Sequence, residues 1–258
     1  MDRNESDAAD WKDASAYAPL LEADRSILAW EWLRRDPGYR AAATSARGQD
    51  GRSAGDRRAA RWGLHAFEWP QSTAPWARPV WRADVHPSVL EAAATAADRS
   101  NDAFDLARFA SHATIVAGRD GGEHLLISDG MHAIRLDVQG RSLESGPVLL
   151  RYRLAGLASA GPPLLTLRRL LALSRTGSFS RSLHPPEARG RRWVLMLRAH
   201  DALAAGMGQR EIAEALLSRS AGGARWRTEA PSLRLRAQRL VRAARTMAAG
   251  GYLALLRS

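Results

Sequence analysis

The sequence predicts an α+β protein: a small N-terminal helical unit, an antiparallel β-meander in the middle, and a C-terminal helical bundle containing a helix-turn-helix-like unit. Three observations support this reading. Near the start, Trp11, Tyr17, Leu20, Leu21, Ile27, Leu28, Trp30, Trp32 and Leu33 crowd into one short stretch, dense enough for a small helical core. Between Ala113 and Leu154, short alternating apolar runs are separated by Asp129-Gly130 and Gln139-Gly140, the pattern of strands joined by tight turns. From Pro162 onwards the apolar period lengthens to that of helices.

Composition narrows the function. A chain of 258 residues has room for one large or two modest domains, each with its own core. Cysteine is absent, which excludes disulfides, thiolate metal sites and cysteine nucleophiles. The first residues, Met1 to Asp7, are polar and lack the apolar core of a secretory signal, and no stretch approaches the length of a membrane span, so a cytoplasmic protein is expected. The net charge of +11 is carried almost wholly by arginine, Lys12 being the single lysine. Residues 151–258 hold 20 arginines against five acids, a balance of +15, whereas residues 1–150 hold 18 basic and 22 acidic groups, a balance of −4. A coding bias towards arginine would act on both halves alike. The local excess therefore marks a polyanion-binding module.

Residues 1–46 are expected to form the N-terminal helical unit. Asp24 is placed to cap a helix running to Arg34, Asp36-Pro37-Gly38 ends it, and a short helix from Tyr39 follows. The aromatics are expected to pack together as the core of this unit, the alternative being a docking surface. Residues 47–61, rich in glycine and charge and without an apolar period, read as a flexible linker. Residues 62–98, with frequent Pro and Trp, read as an extended connector pinned by aromatic anchors, with no regular element. The remainder, 99–258, reads as a further domain with the meander at 112–154 and helices over 162–258. Strands are expected at Ala113–Ala117, His124–Ser128, Met131–Val138 and Val148–Leu154. No helix follows Gly121-Gly122, so this pair reads as a hairpin turn rather than a phosphate loop.

Pro162-Pro163 opens a helix over Leu164–Leu173 that Gly177 stops. Ser178–His184 reads as loop, and Pro185-Pro186-Glu187 starts the next helix, through Val194, Leu195 and Leu197. After Gly208, the compact segment Gln209–Leu217 places Ile212, Ala213, Leu216 and Leu217 on one buried stripe, as in the second helix of a helix-turn-helix. A long helix follows from Pro231. Its Leu233, Ala237, Leu240, Val241, Ala244, Met247 and Ala248 fall within an arc of about 120°, a core-facing stripe. Arg234, Arg239, Arg242 and Arg245 fall opposite, flanked by Arg236 and Ser232, with Leu235 pointing outward among them. A guanidinium is always charged and offers a planar donor fork that fits phosphate oxygens and the guanine edge. The connection Ser218–Ala230 is longer than the roughly three or four residues usual in the motif, so the pair is either an elongated variant or a different arrangement.

Catalytic constellations are lacking. The seven histidines are scattered, and no pair has the helical spacing of a zinc site. His124 and His132 are able to approach across a hairpin, but a strand histidine is more often packed or exposed than a ligand; no metal and no cofactor are expected. There is no Walker loop, dinucleotide fingerprint or nucleophile elbow, and an enzyme is not expected.

An ordered series of segments runs through the chain: Trp30-Glu31-Trp32-Leu33-Arg34-Arg35-Asp36-Pro37-Gly38-Tyr39-Arg40, Trp62-Gly63-Leu64, Val80-Trp81-Arg82, Asp129-Gly130-Met131-His132, Arg181-Ser182-Leu183-His184-Pro185-Pro186, Arg210-Glu211-Ile212-Ala213-Glu214-Ala215-Leu216 and Gly250-Gly251-Tyr252. It resembles bacterial proteins that join an N-terminal transcriptional-regulator-like domain to a RovC-like DNA-binding domain, residues 10–45 matching the first and about 100–258 the second. The resemblance implies sequence-specific DNA binding in transcription control, related to an activator of type VI secretion genes. The contacts themselves are expected from helix geometry. Gln209 and Arg210, at the start of the compact helix, would hold phosphate; Ser232, Arg234, Arg236 and Arg239 would face the major groove of double-stranded DNA. Arg242 and Arg245 would meet backbone, and Arg225 and Arg227 are further phosphate candidates. A homo-oligomer reading paired half-sites is expected, with the transcription machinery as a further partner. The rival expectation is a non-enzymatic interaction or assembly module whose basic face binds an acidic protein, and a third is a nuclease or recombinase accessory enzyme.

Overall fold

The computed structural model describes residues 10–47, 57–97, 102–217 and 231–257, Arg47 by its backbone. They fall into two compact units, Met1–Ala23 with Pro186–Tyr252, and Asp24–Pro185 with Leu253–Ser258. Most of the stretch expected as a linker, and the whole connection Ser218–Ala230, lie outside the described residues.

The larger unit is built on a mixed sheet of five strands, β1 (Leu90–Ala96), β2 (Ala113–Ala117), β3 (Glu123–Ser128), β4 (Ala133–Gly140) and β5 (Val148–Arg153), in the order β2-β3-β4-β1-β5. The hairpins β2–β3 and β3–β4 are antiparallel, as the alternation predicts. Two features differ from the expected meander. The chain after β4 does not return beside it; β1 lies between β4 and β5, parallel to the first and antiparallel to the second. This strand comes from the segment in which no regular element was expected. Its sequence, Leu90-Glu-Ala-Ala-Ala-Thr-Ala96, has little intrinsic strand preference. Partners on both sides, supplied by residues about fifty positions away, make it a strand, and its buried and exposed positions alternate accordingly. The β3–β4 turn also takes four residues rather than two: Ser128 pairs with Ala133, and the Asp129 carboxylate accepts from the Met131 and His132 amides at 2.9 and 2.7 Å. Gly130 holds a φ of +94° there, and a Cβ would come within 1.6 Å of the Pro75 carbonyl oxygen.

One face of the sheet carries Leu90, Ala92, Ala94, Leu125, Ile127, Ile134, Leu136, Val138, Val148 and Leu150, every second residue, and is closed by Leu170 and Leu173 of helix α4 (Gly161–Thr176). Pro162 and Pro163 stand at the start of α4 and Gly177, left-handed at φ +69°, ends it. The opposite face presents His124, Leu126, Ser128, Arg135 and Asp137. The connector covers it: the Arg135 guanidinium donates to the Trp81 carbonyl at 3.0 Å, and Trp81 Nε1 to the Ser26 carbonyl at 3.1 Å. The same unit contains α1 (Arg25–Leu33), α2 (Pro37–Arg47) and the short α3 (Arg57–Ala60). Buried Glu31 sits between Arg34 and Arg35, each nitrogen 2.6 Å from the same carboxylate oxygen, and its other oxygen accepts from the Ala74 amide at 3.0 Å. Trp30 donates to the Ser72 carbonyl at 2.8 Å and meets Tyr39 edge-on.

The smaller unit combines a 3-10 helix, Ser15–Leu21, with α5 (Gly190–Ala204), α6 (Gln209–Leu216) and α7 (Pro231–Ala248). Tyr17 donates to Asp201 at 2.6 Å, and Arg198 donates to the Trp11 and Lys12 carbonyls at 2.9 and 2.7 Å. The expectation that the N-terminal aromatics share one core is thereby corrected. Trp11 and Tyr17 belong to the smaller unit, Trp30 and Trp32 to the larger. The division falls at Asp24, whose extended backbone opens α1 and whose carboxylate accepts from the Ala133 amide at 2.9 Å and lies 3.0 Å from His184 Nδ1, all within the larger unit.

Candidate nucleic-acid interface

The three helices α5, α6 and α7 pack on one another. Ile212 and Ala213 of α6 are fully buried, as are Ala237 and Ala244 of α7. Three of these four are alanines, which leave little side chain between crossing backbones. The core-facing stripe of α7 is the one its periodicity predicts: Ala237, Leu240, Val241, Ala244 and Met247 are buried, with Leu233 and Ala248 half-buried.

That packing turns the other side of α7 outward. Ser232, Arg234, Arg236, Arg239, Arg242 and Arg245 are all exposed. No carboxylate occurs on the helix, and among the described residues none of its five guanidiniums has an ion-pair partner. A strip of exposed, weakly hydrated cations with no carboxylate on the same helix gives this face a positive field. Leu235 stands among them at 46% exposure, and so does Gln238, an exposed residue that the search for positive charge passes over. The signal for Gln238 was its wheel position next to Arg242; a glutamine amide offers the donor and acceptor pair that matches adenine.

At the start of α6, Gln209 and Arg210 already have intramolecular partners. The Glu211 carboxylate accepts from the Gly208 amide at 2.7 Å, capping the helix with the chain's own negative charge. Gln209 Nε2 donates to the Arg234 carbonyl at 3.3 Å, tying α6 to the first turn of α7. Arg210 pairs with Glu214 at 2.7 Å, both half exposed. Arg225 and Arg227 lie outside the described residues. Arg191 and Arg192 are exposed on the first turn of α5, whereas Arg198 is taken up by the N-terminal carbonyls.

Among the described residues no helix is long and apolar enough to cross a membrane. Residues 156–257 match the model of a family described as a type VI secretion system (T6SS) transcription factor, DNA-binding domain, RovC type. Residues 10–65 match that of a proteobacterial transcriptional regulator-like domain. A search of the curated proteins found no match.

Proposed function

We propose that this chain, which carries a RovC-type transcription factor DNA-binding domain behind a transcriptional regulator-like domain, is a cytoplasmic regulator that binds specific double-stranded DNA through α7. The observation that carries the reading is the two-sidedness of α7, one side sealed into the helical unit and the other an exposed, carboxylate-free strip of arginines. In this reading Ser232, Arg234, Arg236 and Arg239, on the first turns, enter the major groove, with Gln238 beside them. Arg242 and Arg245 lie further along and meet phosphates. Gln209 holds the α6–α7 angle, and Arg210 reaches phosphate at the cost of its pair with Glu214, a half-exposed pair that contributes little to stability. Arg225 and Arg227 add phosphate contacts, and a homo-oligomer supplies the second half-site.

The test is selection of bound duplexes from a random pool, followed by affinity measurements on the selected operator. Arg236→Ala and Arg239→Ala should each weaken operator binding by about 1–3 kcal/mol and relax preference at one position. Unchanged operator affinity for both variants rejects this placement. The rival reading, an acidic protein as partner of the basic face, draws on exposed Leu235. It predicts that an excess of random duplex DNA fails to displace that partner.

A further inference from the structure

We propose that His65, His124 and Asp137 form a binding site for one divalent transition-metal ion of the zinc class, on the connector-covered face of the sheet. One ligand atom from each residue lies within 4.8 Å of the others. The position of each is set by backbone pairing. His124 and Asp137 are direct cross-strand partners on β3 and β4, and His124 Nδ1 stands 2.7 Å from Asp137 Oδ1. His65 arrives from the connector, its amide donating to the Val80 carbonyl at 2.9 Å, and its ring stacks on that of His124 with centroids 3.4 Å apart; the nitrogen lone pairs lie in the ring planes, so binding one ion turns the two rings out of this stack towards each other. The approach of His124 to His132 that a hairpin would allow is not made, because His132 lies in the turn at the far end of the strands and bonds to Asp129.

A cross-strand histidine–aspartate pair needs no ion, so the inference turns on His65. Its Nε2 is buried and has no hydrogen-bond partner among the described residues. Buried polar nitrogens are almost always satisfied, and leaving one bare is unfavourable. Two imidazole nitrogens and a carboxylate oxygen are the donors of a zinc, cobalt or nickel site and poor donors for magnesium or calcium, which prefer oxygen alone.

Arg135 shapes the affinity. Its guanidinium is fully buried and makes four hydrogen bonds, to the carbonyls of Trp81, Leu125 and Leu136 and to Asp137 Oδ1 at 2.8 Å. It fixes the carboxylate and leaves Oδ2 without a donor among the described residues, as outer-shell partners of metal ligands do. Its charge also repels a cation, so micromolar rather than nanomolar binding is expected.

The decisive experiment titrates the untagged full chain, after chelator treatment, with Co2+ and then Zn2+. One equivalent of Co2+ should give visible ligand-field absorption, discharged by one equivalent of Zn2+, and Zn2+ but not Mg2+ should raise Tm. His65→Gln should lose the absorption and the Tm shift, whereas His132→Ala, outside the cluster, should keep both. A folded wild-type chain that gives no stoichiometric absorption overturns the site and leaves water as the partner of His65. Absorption that survives in His65→Gln overturns it equally.

Discussion

At the scale of single residues, the larger unit keeps two histidines uncharged, and this sets how it responds to acid. His86 is buried, its Nδ1 has no partner among the described residues, and burial, helped by Arg135 and opposed by Asp24, pushes it from 6.5 to about 4. His65 is shifted the same way. The folded state therefore binds fewer protons than the unfolded chain between these values. The stability each group contributes is fully present above pH 6.5 and is lost as pH falls towards its folded value, at up to about 1.4 kcal/mol per pH unit for each proton. His86→Leu should flatten the decline by up to one proton while leaving stability at neutral pH little changed, since Nδ1 surrenders no hydrogen bond. Urea unfolding across this pH window measures the slope directly. A slope identical to wild type would mean that His86 is already charged in the fold.

At the scale of elements, the crossing of α6 and α7 depends on small residues. Ala213, Ala237 and Ala244 are fully buried, so a longer side chain at Ala213 has nowhere to go without moving one helix off the other. Ala213→Leu should destabilise the smaller unit by about 1–3 kcal/mol. It should also weaken DNA binding although it removes no charge; thermal unfolding and operator binding report the two effects, and wild-type values in both would show that the helices do not pack this tightly. The apolar faces that meet here were legible in the sequence because they are local, whereas the arrangement of the two helices was left open by their long connection. The stripe from Leu233 to Ala248 and the buried Ile212-Ala213 pair follow from helical period alone, and the strands β2, β3 and β4 from alternation with turn residues between. The elements that escaped have non-local causes. β1 is a strand because β4 and β5 accept it, and nothing in its run of alanines says so. Trp11 and Tyr17 leave the other N-terminal aromatics because Asp201 and Arg198, nearly two hundred residues on, bind them. The same holds within the proposed sites. The arginine face was visible from spacing, whereas the capping by Glu211, the Arg210–Glu214 pair and the meeting of His65 with His124 require the folded chain.

At the scale of the whole molecule, the arginine excess belongs to one half of the sequence, +15 over residues 151–258 against −4 over residues 1–150. Long-range attraction of this kind brings any polyanion to the protein and confers no sequence preference by itself, so affinity and specificity should be separable in the salt dependence. Each phosphate neutralised by an arginine releases condensed counterions and contributes about −0.9 to the slope of log K against log salt for duplex DNA. If Arg242 and Arg245 meet backbone, Arg242→Ala combined with Arg245→Ala should make that slope shallower by about 1.8 and weaken operator and random DNA by the same factor. Arg239→Ala, a base-reading position in the proposed docking, should instead weaken the operator more than random DNA. Binding isotherms for both duplexes over a range of salt concentrations give all of these quantities from one set of titrations. A double variant whose slope matches wild type would turn the far end of α7 away from the duplex. Equal losses on operator and random DNA for Arg239→Ala would move base reading to another residue of the exposed face, with Gln238 first in line.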